Sequence, residues 1–373
     1  MSNQKLHIVT LDVPFPADYG GAIDMYFRIK ALHELGLELT LHVFEYGRGQ
    51  QKELEKFGKV HYYKRSRSFF HLLSKRPFIV QSRLSYELLK ELRKDSHPIL
   101  FEGLHTSGFL EHVDIAQRLT MVRMHNIEHA YYNELAANAR FFKRLFFKWE
   151  ARKLKNYENI LSKTKAILAI KASDQDYYRK YNTSTFLLLA SVQIPIQTAT
   201  KNLPYALFHG NLSVPENENA ALWLIQTLNK VINSEFPLII AGKNPGKRLQ
   251  QDVNQLSVKL IPNPTENELN ELIANAQLHV FYSSVPSGMK LKLLNVLGTY
   301  GHILCNNNMI GNSEIVDFCI IENDPELFAK RFSEIMNHPI SLTDFEARQT
   351  FLNKAFNVTE SCKLILTVLN DKQ

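Results

Sequence analysis

The feature that most constrains this chain is a recurrence of short apolar runs, each too brief for a helix and each followed by a longer amphipathic stretch. The first half carries them at LHIVTLDV (6–13), ELTLHVFE (38–45), KVHYYK (59–64), PILFEG (98–103), LTMVRMH (119–125), AILAI (166–170) and TFLLLA (185–190). The second half adds YALFHGNL (205–212), PLIIAGK (237–243), VKLIP (258–262), LHVFYSS (278–284), HILCN (302–306) and CIIEN (319–323). Runs of this length rich in Val, Ile, Leu and Phe read as strands buried on both faces. The stretches between them, such as AIDMYFRIKALHELG with its stop at Gly36, read as helices. Strands alternating with helices predict an α/β fold with mainly parallel sheets.

The alternation pauses once, at SVQIPIQTATKNLP (191–204), a polar stretch with two prolines. With 373 residues, that pause predicts two Rossmann-like domains, 1–195 and 196–355, presenting strand-end loops to a shared cleft. Charge follows the same division. Residues 1–190 hold 30 Lys+Arg against 20 Asp+Glu, and residues 191–373 hold 14 against 17. A basic first half predicts an anionic partner there. No run reaches the ~18 apolar residues of a membrane span. The opening MSNQKLHIVTLDVPFP reads as a first strand and not as a secretory signal. Three scattered cysteines, Cys305, Cys319 and Cys362, fit neither a disulfide framework nor a zinc site, so the expected compartment is the reducing cytoplasm.

Several motifs carry chemistry. After the first strand, DVPFPADYGG places Gly20 and Gly21 at a helix start, where backbone amides favour an anion. The spacing is not G-x-G-x-x-G, so a nicotinamide site is disfavoured. HNIEH (125–129) matches an inverted zinc-peptidase pattern, in which His125 and His129 would share a helix face with Glu128 as base. It also follows a strand run, which would instead put His125 at a strand's carboxyl end. SDQD (173–176) reads as a helix start rather than a metal pair. NARFFKRLFFKWEARKLK (138–155) spaces Phe142, Leu145, Phe146 and Trp149 along one helix face, with Lys143, Arg144 and Lys148 among its cations. Such a helix suits an anionic membrane surface or packs its stripe into the core. RSRSFFHLLSKRPF (65–78) has a similar mixture, and no recognition motif argues for nucleic acid. In the second half, FHGNLSVPENENAALWL, IIAGKNPGKRL and PSGMKLKLLNVLG put Gly210, Asn211, Lys243, Gly288, Lys290 and Lys292 at successive strand ends. There, amides and lysines would hold a diphosphate.

Taken in order, these segments resemble the retaining glycosyltransferases of family 4 (group 1), of GT-B architecture, in their bacterial surface-polysaccharide branch. The resemblance spans nearly the whole chain. It implies transfer of a hexosyl group from a uridine or guanosine diphosphate sugar to a cell-surface polysaccharide or lipid-linked glycan. It further implies net retention, no metal, no other cofactor, and an enzyme in the cytoplasm or at the inner face of the membrane. By the same resemblance, 1–195 is the acceptor side, 196–355 binds the donor, and 356–373 supplies a helix crossing back to the first domain. His125 would lie near the transferred sugar, Gly20 and Gly21 near the donor phosphate, and Lys243 with Lys290 or Lys292 at the diphosphate.

The chain departs from that family where the family usually has Glu, seven residues, then Glu. Here Ser287 and Asn295 stand at those positions. The first acid approaches the donor sugar and the second holds the ribose hydroxyls, so two alternatives stay open. One is a GT-B-like nucleotide- or glycan-binding protein with weak or absent catalysis. The other is a zinc peptidase built on HNIEH.

Overall fold

The computed structural model describes residues 4–371 apart from 138, 193, 195–201, 254–256, 285–289 and 311–312. Two compact units emerge, Met1–Gln193 with Phe356–Gln373, and Ile194–Ala355.

The first unit is built on a parallel sheet of β1 (Lys5–Thr10), β2 (Glu38–Glu45), β3 (Gly58–Lys64), β4 (Ile99–Glu102), β5 (Thr120–Met124), β6 (Ala166–Ala169) and β7 (Thr185–Leu187). Their order is β3-β2-β1-β4-β5-β6-β7. Strand β1 pairs with β2 on one side and β4 on the other, so the winding reverses there. The loops leaving β1 and β4 must splay apart at that point, which is where open α/β sheets take ligands. Helix α1 (Gly20–Glu34) follows β1, and Gly36, at φ +87°, supplies the left-handed residue that ends the turn after it. Helices α2 (Glu128–Ala137) and α3 (Phe141–Tyr157) follow β5. The C-terminal helix Val358–Asn370 packs on α1. Its Cys362, Ile365, Val368 and Leu369 join Ile29 and Leu32 of α1 in one core cluster. Each such aliphatic side chain contributes about 1.5–3 kcal/mol on burial, and that ties the chain's last helix to its first.

The second unit has β8 (Leu203–Asn211), β9 (Leu238–Lys243), β10 (Val258–Pro262), β11 (Ala276–Phe281), β12 (His302–Cys305) and β13 (Ile320–Ile321), ordered β10-β9-β8-β11-β12-β13 and again parallel. The winding reverses between β8 and β11. Helix α4 (Pro215–Leu228) follows β8, with Pro215 in its first turn, where the missing N–H costs nothing. Helix α5 (Leu291–Leu297) follows β11.

All thirteen strands anticipated from the apolar runs are present among the described residues. The boundaries differ where the backbone has other partners. Strand β7 stops at Leu187 because the carbonyls of Leu188 and Leu189 turn to the buried guanidinium of Arg123. The helix read at SDQD starts earlier, at Ala172, with Lys171 at its N-cap.

Candidate functional site

At the carboxyl end of the first sheet, a charged network sits where apolar side chains would be expected. Asp24 and Arg28 lie four residues apart on one face of α1, Glu102 ends β4, Arg123 lies within β5, and His125 follows it. Arg28 grips Glu102 through Nε and Nη2 at 2.8–3.0 Å and donates to Asp24 at 2.8 Å. Arg123 donates from Nε and Nη2 to Asp24 at 3.1 Å, and the Ser191 amide donates to Asp24 at 2.7 Å. All four side chains are buried, so these bonds replace water outright. Burial pushes the Asp24 carboxyl up, but Arg123, Arg28 and His125 together hold it far below the ordinary carboxylate range. Glu102 is likewise raised by burial and brought below its usual value by Arg28 and His125. It is therefore an acceptor, which makes His125 Nε2, 3.0 Å away, the donor. His125 Nδ1 lies 3.6 Å from Asp24, beyond hydrogen-bond distance.

Asp24, Glu102 and His125 are also the group whose donor atoms come close enough to hold a metal ion among the described residues. Two guanidinium groups already neutralise its carboxylates, so the donor set suits an internal ion network better than a cation. The zinc reading of HNIEH fails on geometry. Helix α2 begins only at Glu128, so His125 and His129 do not share a helix face. His129 instead bonds the buried Glu158 through Nδ1 at 2.6 Å, and Glu158 also accepts from Tyr177 and Tyr181. Glu128 is buried beside His105, whose Nδ1 is 3.9 Å away and makes no hydrogen bond among the described residues. Loss of water pushes the Glu128 carboxyl up to about 8, with Arg83 opposing and Glu158 adding.

Gly20 and Gly21 do open α1, and no acidic side chain occupies its first turn. Gly21 has a packing reason as well. A Cβ there would lie 3.1 Å from the ring of Tyr19, whose hydroxyl donates to Asp12 at 2.8 Å.

In the second unit the strand-end loops converge on the first turn of α4. Gly210 and Gly242 are paired across β8 and β9, and a Cβ on Gly242 would sit 1.9 Å from the Gly210 carbonyl oxygen. Asn211 uses its side-chain oxygen to cap Ser213, and its carbonyl accepts from Asn217 at 2.9 Å. Lys290 donates to Glu216 at 2.8 Å, and Lys292 donates to Asn217 at 2.9 Å. The Lys292 ammonium also lies over the Phe208 ring at 5.0 Å. Burial lowers Lys292 to about 8, with Glu216 raising it and Lys290 lowering it further. Lys243 is exposed at the end of β9, and Asn295 is exposed on α5. Ser287 and Gly288 lie outside the described residues.

The comparisons with known proteins agree with this architecture. Residues 204–338 match a family model described as "Glycosyl transferases group 1". The chain is 26% identical over 356 residues to an "Uncharacterized 44.6 kDa protein in cps region" of Klebsiella pneumoniae, covering 87% of this chain and 89% of that protein. It superposes with a TM-score of 0.64, at 12% identity, on Anabaena Alr3699/HepE in complex with UDP and glucose, over 99% of this chain and all of that one. A lipopolysaccharide outer core galactosyltransferase, WaaB, gives 0.67 at 11% identity over 99% of this chain and all of that one. TarM gives 0.68 at 9% identity over 99% of both. The chain has the GT-B fold, and its residues 204–338 match group 1 glycosyltransferases.

The sequence singles out Lys290, Lys292 and His125 but not the partners that hold them. The signal for the first-unit network was present in the form of single charged residues, Glu102 and Arg123, inside otherwise apolar strand runs. Glu216 and Asn217 had no such signal, because ENEN after Pro215 reads equally well as an ordinary acidic helix start.

Proposed function

We propose that this chain transfers a sugar, with retention and without a metal, from a uridine or guanosine diphosphate donor to a polysaccharide or lipid-linked glycan acceptor. The observation that carries this reading is the gathering of Lys290 and Lys292 at the strand ends beside β8 and β11, within the segment that matches group 1 glycosyltransferases. Two ammonium groups and the first turn of α4 are the donors a departing diphosphate requires. HepE, the structural neighbour solved with UDP and glucose, supports a uridine donor, and the relative from a cps region supports a polysaccharide product. Gly20, Gly21, Gly210, Asn211, Lys243, Ser287, Gly288 and Asn295 remain the proposed remainder of the donor site. His125, held through Nε2 by Glu102, is assigned to the transferred sugar.

A peripheral membrane location at the inner face is part of the same proposal. The stripe of α3 does not pack into the core. Phe142 is 82% exposed, and Lys143, Arg144, Lys148 and Trp149 are exposed beside it. Lys153 and Glu150 of α3 clasp the backbone of Leu72, Arg76 and Phe78, which brings the exposed Phe69, Phe70 and Leu73 onto the same unit. No described helix is long and apolar enough to cross a membrane.

Calorimetry with UDP and GDP tests the donor assignment, and NMR of the product's anomeric configuration tests retention. Folded protein that binds neither nucleotide would refute the proposal, and an inverted product would refute its stereochemistry.

A further inference from the structure

The chain lacks an acid at 287 and 295, yet its donor-side lysines are not without a carboxylate. Glu216, in the first turn of α4, brings one in from a different element. Its Oε1 receives the Ser283 hydroxyl at 2.7 Å from beyond β11 and the Lys290 ammonium at 2.8 Å from the start of α5. Its Oε2 makes no hydrogen bond among the described residues. The side chain is 36% exposed, so it is held in place by two bonds and still open to a ligand. Burial raises its carboxyl, but Lys290, Ser283 and Lys292 bring it below the usual range, so it is an anion at neutral pH. Glu218, the other acid of this turn, is directed to Gly246, where a Cβ would lie 2.0 Å from its Oε1.

We propose that Glu216 is the carboxylate that receives a vicinal diol of the donor, doing from α4 the work that Ser287 and Asn295 cannot do. The proposal rests on the nucleotide-sugar reading above. A carboxylate accepts two adjacent hydroxyls at once, and bonds to a charged acceptor are about twice as strong as neutral ones. Lys290 links the two halves of the ligand. As the diphosphate draws its ammonium away, Glu216 Oε1 loses a donor, and a hydroxyl takes its place. Neutral Asn295 on α5 offers one weaker acceptor and no second oxygen. The diol belongs to the ribose or to the transferred sugar. Both present the same chemistry to the carboxylate.

The test is calorimetry on the full chain and on Glu216→Gln, with UDP, 2′,3′-dideoxy-UDP, UDP-glucose and pyrophosphate. Circular dichroism and Tm confirm folding. For a ribose diol, Glu216→Gln weakens UDP about tenfold and leaves the dideoxy analogue and pyrophosphate within about twofold. For a sugar diol, it weakens UDP-glucose while UDP is unchanged. Either pattern supports the assignment, and in the ribose case Asn295→Glu added to Glu216→Gln should restore the lost affinity. Equal weakening of all four ligands, pyrophosphate included, would show that Glu216 serves only to place Lys290 and would overturn it. So would unchanged affinity for all four. Wild-type protein that binds none of them overturns the nucleotide-sugar reading and this assignment with it. Wild-type binding beside an indifferent Glu216→Gln overturns the assignment alone.

Discussion

Arg28→Met isolates the buried network, because it keeps most of the side-chain stem and removes only the charge. Asp24 would retain both Arg123 bonds and the Ser191 amide. Glu102 would keep a single partner, His125 Nε2 at 3.0 Å, after losing all three of its Arg28 contacts. The damage is therefore an uncompensated carboxylate with no exposed surface. Stripping one partner from a buried pair costs about 3–5 kcal/mol, a large part of the ~5–15 kcal/mol that holds a folded protein together. The pH dependence follows from the shifts. In the wild type, Asp24 and Glu102 have depressed folded pKa values. Their stabilisation is present above the unfolded carboxylate range and is lost as pH falls through the folded values. In Arg28→Met the depression of Glu102 is gone, and protonation relieves its buried charge. The deficit should be largest near pH 7 and shrink as pH falls towards about 4.5. Hydrogen exchange of β4 and β5 amides, read against pH, measures this where the network sits. Adding Glu102→Gln should recover part of the loss. A deficit below about 1 kcal/mol, one that does not shrink with acid, or no recovery from Glu102→Gln would refute the reasoning.

Three further outcomes are expected. Lys292, lowered to about 8, loses its charge as pH rises from 7 to 9, so nucleoside diphosphate affinity should fall across that window. Lys292→Met should weaken binding about 10–100-fold and flatten the profile, as read by calorimetry at several pH values. Glu128, raised to about 8, keeps its proton in the folded chain while the unfolded carboxyl has lost it, so stability declines as pH rises from about 5 to 8. Glu128→Gln should remove that decline and be more stable by about 1–3 kcal/mol at pH 8 in urea titrations. Anionic vesicles should retain the protein at low salt and release it at high salt, and Phe69→Ser with Phe142→Ser should abolish retention. Equal behaviour towards neutral vesicles would remove the membrane proposal.

The sequence by itself determined the fold class. A strand buried on both faces must be a short, nearly continuous apolar run, and a long crossover connection must separate it from its parallel neighbour, so all thirteen strands could be read directly. The helix stop at Gly36 was legible for a local reason as well. Gly36 supplies a left-handed turn, whereas the clash that a Gly242 side chain would make with Gly210 arises only from the pairing of β8 with β9. What only tertiary structure decided is which distant side chains share a bond. HNIEH read alone allows a zinc face. It is the separate engagements of His125 with Glu102 and His129 with Glu158, 23 and 29 residues away, that exclude one. Trp149 and Phe142 have the periodicity of a core stripe and lie exposed, because periodicity gives a helix its face but not the surface that face meets. Glu216 is the sharpest case. Nothing in ENEN marks it, and only the parallel sheet, by setting β8 beside β11, brings it against Lys290, 74 residues along the chain.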